Sequence, residues 1–86
     1  MKRLQRIHKL LNKNFDNFIF EIKDNSSLHV GHHNFNGFDE THIEILLKPK
    51  NFEKINRLEI HKKINNLLAK EFEKGLHSIE IKINQL

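Results

Sequence analysis

Between Thr41 and Ile83 the apolar period changes twice, and this change restricts the fold more than any other feature of the chain. Thr41, Ile43, Ile45 and Leu47 fall on every second residue, with His42, Glu44, Leu46 and Lys48 between them. That is a strand with two distinct faces. Pro49 closes it, because proline cannot donate to a sheet ladder. From Asn51 to about Lys74 the spacing becomes helical, with Leu58 preceding a stripe of Ile60, Ile64, Leu67, Leu68 and Phe72. A helix buried along one side has this pattern. Asn51 is the expected N-cap, and Gly75 stands where a helix ends at C′. Ile79, Ile81 and Ile83 then alternate with Ser78, Glu80, Lys82 and Asn84, a strand running to the end of the chain. A strand, a helix and a strand in this order join two parallel strands through a right-handed crossover.

Upstream, Leu4, Ile7, Leu10 and Leu11 mark one helical face over residues 2–13, and Lys2, Arg3, Arg6, Lys9 and Lys13 cover the rest. A basic amphipathic start also suits a presequence or a membrane-surface helix. A surface helix packed on a sheet is the preferred reading. Phe18, Phe20 and Ile22 alternate with Ile19, Glu21 and Lys23, so another strand follows, broken by Asp24-Asn25-Ser26-Ser27. The order α-β-β-α-β predicts an α+β fold: an αββαβ sandwich with a three-stranded mixed sheet. Helices near 2–13 and 55–74 cover one face of that sheet. Residues 25–39 connect the first two strands, and a connection that long is usually functional or disordered rather than a plain turn.

Eighty-six residues make one small domain, spanning 1–86. No cysteine is present, so neither a disulfide nor a thiolate ligand is available. That fits a cytoplasmic protein. No apolar run is long enough to cross a bilayer, and the basic start lacks the unbroken apolar stretch of a secretory signal. No membrane partner is expected. The net charge is +4, with both signs interspersed along the chain, which suggests an ordinary solvated surface. No serine or cysteine nucleophile stands in a recognisable motif, and no phosphate-binding glycine loop occurs. Asp39, Glu40 and His42 could serve as acid and base, but similar trios stand in most surface loops. An enzyme is not expected.

Four of the seven histidines crowd the stretch HVGHHNFNGFDETH, from His29 to His42. His29, His32 and His33 make a poor zinc site alone, because they stand in a loop rather than on a helix and have no thiolate beside them. His77 lies between Gly75 and the last strand. In a parallel arrangement the last strand begins at the end of the sheet where the second strand also begins. The 29–39 loop opens at that same end, so His77 and the loop histidines can converge. Arg57 and His61 share a helix face at i,i+4, beside the apolar stripe, and could contact phosphate.

Four segments carry a resemblance over almost the whole chain: GFDETHIEI, FEKINRLEIH (52–61), INNLLAKEF and GLHSIEIKI (75–83). In this order and spacing they resemble the BolA-like proteins. Lys54 stands where members usually have glycine, and Ile60 where they usually have arginine. Both departures weaken a nucleic-acid role for that block. The resemblance implies a fold like a type II KH domain, with a short helical turn near Phe52. The GXXG loop with which KH domains clamp RNA is missing from this sequence. It further implies a non-enzymatic adaptor in iron–sulfur trafficking or iron sensing, whose partner is a monothiol glutaredoxin of the CGFS class. A [2Fe–2S] cluster bridges such heterodimers, with a glutaredoxin cysteine and a glutathione thiol as two ligands. By this resemblance His77 is one ligand from this chain and His29 the other, with His32 or His33 as alternates. No cofactor is expected on the isolated chain. The family's other attributed role is that of a DNA-binding transcriptional regulator, for which Arg57, His61, Lys62 and Lys63 form the surface.

Overall fold

Two helical stretches pack against one face of a three-stranded sheet. The computed structural model describes residues 2–25, 41–51 and 54–84. The elements run α1 (Arg3–Asn14), β1 (Phe18–Asp24), β2 (His42–Pro49), α2 (Arg57–Leu67), α3 (Ala69–Glu73) and β3 (Ser78–Ile83). The sheet order is β1-β2-β3, with β1 antiparallel and β3 parallel to the central β2. This is the mixed sheet that the change of period predicts.

Alternation sorts the strand residues by face. Ile43, Ile45 and Leu47 of β2 are buried, and so are Phe20 of β1 and Ile83 of β3. From the helices, Ile7, Leu11, Ile64 and Leu68 meet them and are wholly excluded from solvent. Burying each such side chain stabilises the fold by roughly 1.5–3 kcal/mol. Phe15 packs edge-on against Phe18 and Phe20, with ring centroids 6.0 and 5.6 Å away, and Phe18 and Phe20 meet at a tilt at 6.4 Å. The other face of the sheet carries ion pairs: Lys48 to Glu21 at 2.9 Å and Lys82 to Glu44 at 2.8 Å. The hydrogen bond from Lys82 holds the Glu44 carboxyl below its ordinary pKa, with a smaller contribution from Asn25.

The helix boundaries differ from the sequence reading in two places. Asn51 is not the N-cap of the crossover helix. That helix starts at Arg57, and the side chain of Asn56 accepts from the Glu59 backbone N–H at 3.1 Å. Both residues are asparagines, and the sequence offers no way to choose between them. Position decides, because only the residue directly before the first helical turn can reach its unpaired N–H groups. Asn56→Ala should therefore lower the stability of the fold by about 1 kcal/mol. Asn51→Ala should change it by less than about 0.5 kcal/mol. Urea unfolding of the two variants reads the difference directly, and equal losses would contradict the assignment.

The second difference is a break at Leu68, which divides the expected 55–74 helix into α2 and α3. Leu68 is itself buried, and α3 beyond it holds Glu71 against α1. The stop at Gly75 agrees with expectation. Gly75 has φ 117°, the left-handed region open to glycine. Its N–H donates to the Phe72 carbonyl and that of Leu76 to the Glu71 carbonyl, a complete Schellman closure. Leu76 is buried, so the chain enters β3 from a fixed point.

Candidate metal centre

The end of the sheet where β2 and β3 both begin gathers two histidines. The parallel register sets His42 opposite Ser78, so His77 comes alongside Thr41 and His42. The backbone N–H groups of His77 and Ser78 both donate to the Thr41 carbonyl, at 2.8 and 3.2 Å. His77 thus has a fixed backbone and an exposed side chain. The His42 and His77 rings meet edge to face, with centroids 5.3 Å apart and planes at 82°. Below them the Thr41 hydroxyl, only 2% of the residue being exposed, lies 3.0 Å from Nδ1 of His42.

Asn25 reaches the same end, donating its backbone N–H to the His42 carbonyl at 2.7 Å. The two ends of the connection between β1 and β2 therefore flank the histidine pair. His29, His32 and His33, with Asp39 and Glu40 of the acid–base trio, lie outside the described residues. The helical turn expected near Phe52 does as well. Among the described residues no three His, Cys, Asp or Glu side chains stand close enough to enclose a metal ion. Two imidazoles amount to half of a coordination shell.

Sequence reasoning brought His77 to this end of the sheet but missed His42 as its neighbour. It grouped His42 with Asp39 and Glu40, which are adjacent in the chain. The signal was available: in the parallel pairing a strand starting at Ser78 sets the residue before it beside the start of β2.

The proposed DNA-binding residues stand elsewhere, on α2. Arg57 and Lys62 are exposed, and His61 is half-buried. Lys63 is engaged within the fold: its ammonium donates to the Asn14 carbonyl at 2.9 Å and sits 4.5 Å over the Phe15 ring. A cation at the carboxyl end of α1 is favoured by the helix dipole. The charges interspersed along the sequence are sorted in space. Apart from Lys23, Lys48, Lys50 and Lys82, every Lys and Arg lies in the stretches 2–17 and 54–76 that form the helical layer. The acidic residues there are only Asp16, Glu59, Glu71 and Glu73. Among the described residues no helix is long and apolar enough to cross a membrane.

Comparison with known proteins agrees with this architecture. The family model described as BolA-like protein matches residues 11–85. The chloroplastic protein BOLA1 of Arabidopsis thaliana is 33% identical over 81 residues, covering 92% of this chain and 51% of that protein. The chain thus spans about half the length of that relative. An uncharacterized Sinorhizobium protein, described by its place in the cobS 5' region, is 30% identical over 82 residues. It is covered to 88% of its length, and this chain to 94%. Among solved structures, the BolA domain of SufE1 from Arabidopsis thaliana superposes with a TM-score of 0.78 at 29% identity. BolA1 from the same organism gives 0.77 at 31%, and each comparison covers 99% of this chain and 93% of the other. With the family model matching nearly the whole chain and the fold in agreement, this chain belongs to the BolA-like family.

Proposed function

We propose that the protein is a non-enzymatic adaptor that binds a monothiol glutaredoxin and shares with it a bridging [2Fe–2S] cluster, as cargo or as signal. The supporting observation is His77, an exposed imidazole on a backbone fixed by Thr41, with a second imidazole in contact. The donor chemistry fits such a cluster. Iron in [2Fe–2S] centres accepts imidazole nitrogen in place of thiolate, and the exchange raises the reduction potential. A chain with two imidazoles at one place and no cysteine supplies half a shell, so the remaining ligands must come from a partner. A glutaredoxin cysteine and a glutathione thiol would complete it. From the loop, His29 is the further candidate donor, with His32 and His33 as alternates.

Anaerobic reconstitution with a monothiol glutaredoxin, glutathione, iron and sulfide tests the reading. Visible absorption and circular dichroism should show a heterodimer spectrum distinct from that of the glutaredoxin alone. Adding the chain to cluster-loaded glutaredoxin with no spectral change and no complex on size exclusion would contradict it.

The sorted charge favours a second reading, DNA binding across the helical layer, in which Arg57, His61 and Lys62 face the phosphates and Lys63 retains its internal contacts. Such binding is dominated by phosphate contacts and falls steeply with salt. It would be weak and nearly independent of sequence at physiological ionic strength. Tight discrimination of one operator from scrambled DNA would place the regulator reading first.

A further inference from the structure

We infer that two copies of this chain associate through the free edge of β1, pairing antiparallel about Ile22 in one self-complementary register. β1 borders the sheet on the side away from β3, so this surface is independent of the function proposed above.

The bonding of β1 to β2 decides which backbone groups face outward. The Asn17 carbonyl accepts from the Lys50 N–H at 2.8 Å, and the Asn25 N–H donates to the His42 carbonyl at 2.7 Å. Residues bonded to the neighbouring strand alternate with residues whose N–H and C=O point away from it. Odd-numbered residues of β1 therefore bond to β2, while Phe20 and Ile22 direct their backbone groups at the edge. No hydrogen bond among the described residues takes up these groups. Nor does α1 close over them. An open groove of about 710 Å³ separates the two elements, with Leu4, His8 and Lys9 on one wall and Phe20 and Ile22 on the other.

An open edge accepts another strand, and proteins commonly blunt it with charge. In β1 the charges instead favour one partner, a second copy. With the two strands centred on Ile22, Glu21 lies opposite the partner's Lys23, and Lys23 lies opposite the partner's Glu21. These are the pairs without backbone bonds, in which side chains stand closest. Opposite charges there stabilise the pairing, and like charges oppose it. Centred one residue earlier, Glu21 would meet the partner's Glu21. Charge thus selects the Ile22 register. On the groove side Ile22, half-buried in the single chain, then packs against the partner's Ile22. The other edge is less suited. β3 carries Glu80 and Lys82 at the same spacing, but Lys82 already bonds Glu44 at 2.8 Å. Lys23 is exposed and makes no ion pair among the described residues. Glu21, though bonded to Lys48, remains 50% exposed. One strand and its flanks make a small interface, so a reversible equilibrium is expected rather than a permanent dimer.

Sedimentation of the chain across a concentration series should show a monomer–dimer equilibrium that weakens with added salt. Glu21→Lys and Lys23→Glu each set like charges opposite one another, and each should weaken the dimer about tenfold or more. An equimolar mixture of the two variants should restore it, because each then offers the charge that the other lacks. Recovery on mixing also shows that neither variant has failed to fold. The double variant Glu21→Lys, Lys23→Glu should self-associate as wild type does, and Glu80→Lys on β3 should leave the equilibrium unchanged. Amide exchange gives an independent readout. The Phe20 and Ile22 N–H groups should gain protection as concentration rises, while those of Glu21 and Lys23, already bonded to β2, should not. A wild-type chain that stays monomeric at every concentration would overturn the proposal. So would association that grows past the dimer, or a dimer lost in Glu80→Lys and kept in both β1 variants.

Discussion

Glu71→Ala is expected to cost about 2–4 kcal/mol of folding stability, the cost of breaking a largely buried ion pair by removing one partner. Glu71 is buried, and its carboxylate joins α3 to α1 through two arginines. Arg6 donates from Nε to Oε2 at 2.8 Å and from Nη2 to Oε1 at 2.9 Å, while Arg3 donates from Nε to Oε1 at 3.0 Å. Arg3 also donates to the Lys74 carbonyl, tying α1 to the end of α3. A small domain has a total stability of roughly 0.05–0.15 kcal/mol per residue, so the loss is a large fraction. Urea denaturation at pH 7 measures it, and a loss below about 0.5 kcal/mol would refute the assignment. Arg6→Ala should cost less, because the Arg6 side chain is 37% exposed and Arg3 remains on the carboxylate.

The same carboxylate sets an acid limit. Hydrogen bonding from Arg6 is the largest cause, opposed by burial and aided by Arg3, and it holds the Glu71 pKa at about 2 against an ordinary 4.5. A folded-state pKa below the unfolded one means that folding releases protons in this range. The stabilisation is complete above about pH 4.5 and is lost as pH falls toward 2. A difference of that size is worth on the order of 3 kcal/mol. Glu71→Gln should be less stable than wild type at pH 7, and the difference should shrink steadily between pH 4.5 and 2. A gap that stays constant with pH would show that Glu71 does not carry the acid sensitivity.

The second large effect concerns His77. In the reconstituted heterodimer, His77→Ala should abolish the distinctive cluster spectrum, because the exposed ring would be a direct ligand on a fixed backbone. Binding to apo-glutaredoxin should survive in part through other contacts. His61→Ala and His8→Ala are the controls, since one lies on α2 and the other on the exposed side of α1. Both should retain the wild-type spectrum and lifetime. A His77→Ala heterodimer with an unchanged cluster would leave the adaptor role without a mechanism here. Acid should act in the same direction as the mutation. An imidazole must be neutral to bind a metal, so protons compete, and loss is expected below the free value of about 6.5.

The sequence alone determined the architecture, for a physical reason that applies to any chain of this size. Strands repeat their faces every two residues and helices every 3.6, so Ile43, Ile45 and Leu47, the 58–72 stripe and Ile79, Ile81 and Ile83 declare their elements wherever they stand. Chain connectivity then makes β2 and β3 parallel, and that alone sets His77 at the end of the sheet where β2 begins. Gly75 was legible too, since few other residues accept its backbone angle. What remained hidden depends on residues brought together from afar. Glu71 meets Arg3 and Arg6 across more than sixty residues of chain, and no local pattern marks one glutamate of a helix as buried. Asn56 rather than Asn51 caps α2, because the start of the helix is set by how the chain leaves β2. The charges that alternate in the sequence separate into a basic helical layer and an ion-paired sheet only after packing. His42 stands beside His77 because of the strand register, a property of the paired strands that neither histidine's own neighbours along the chain could reveal.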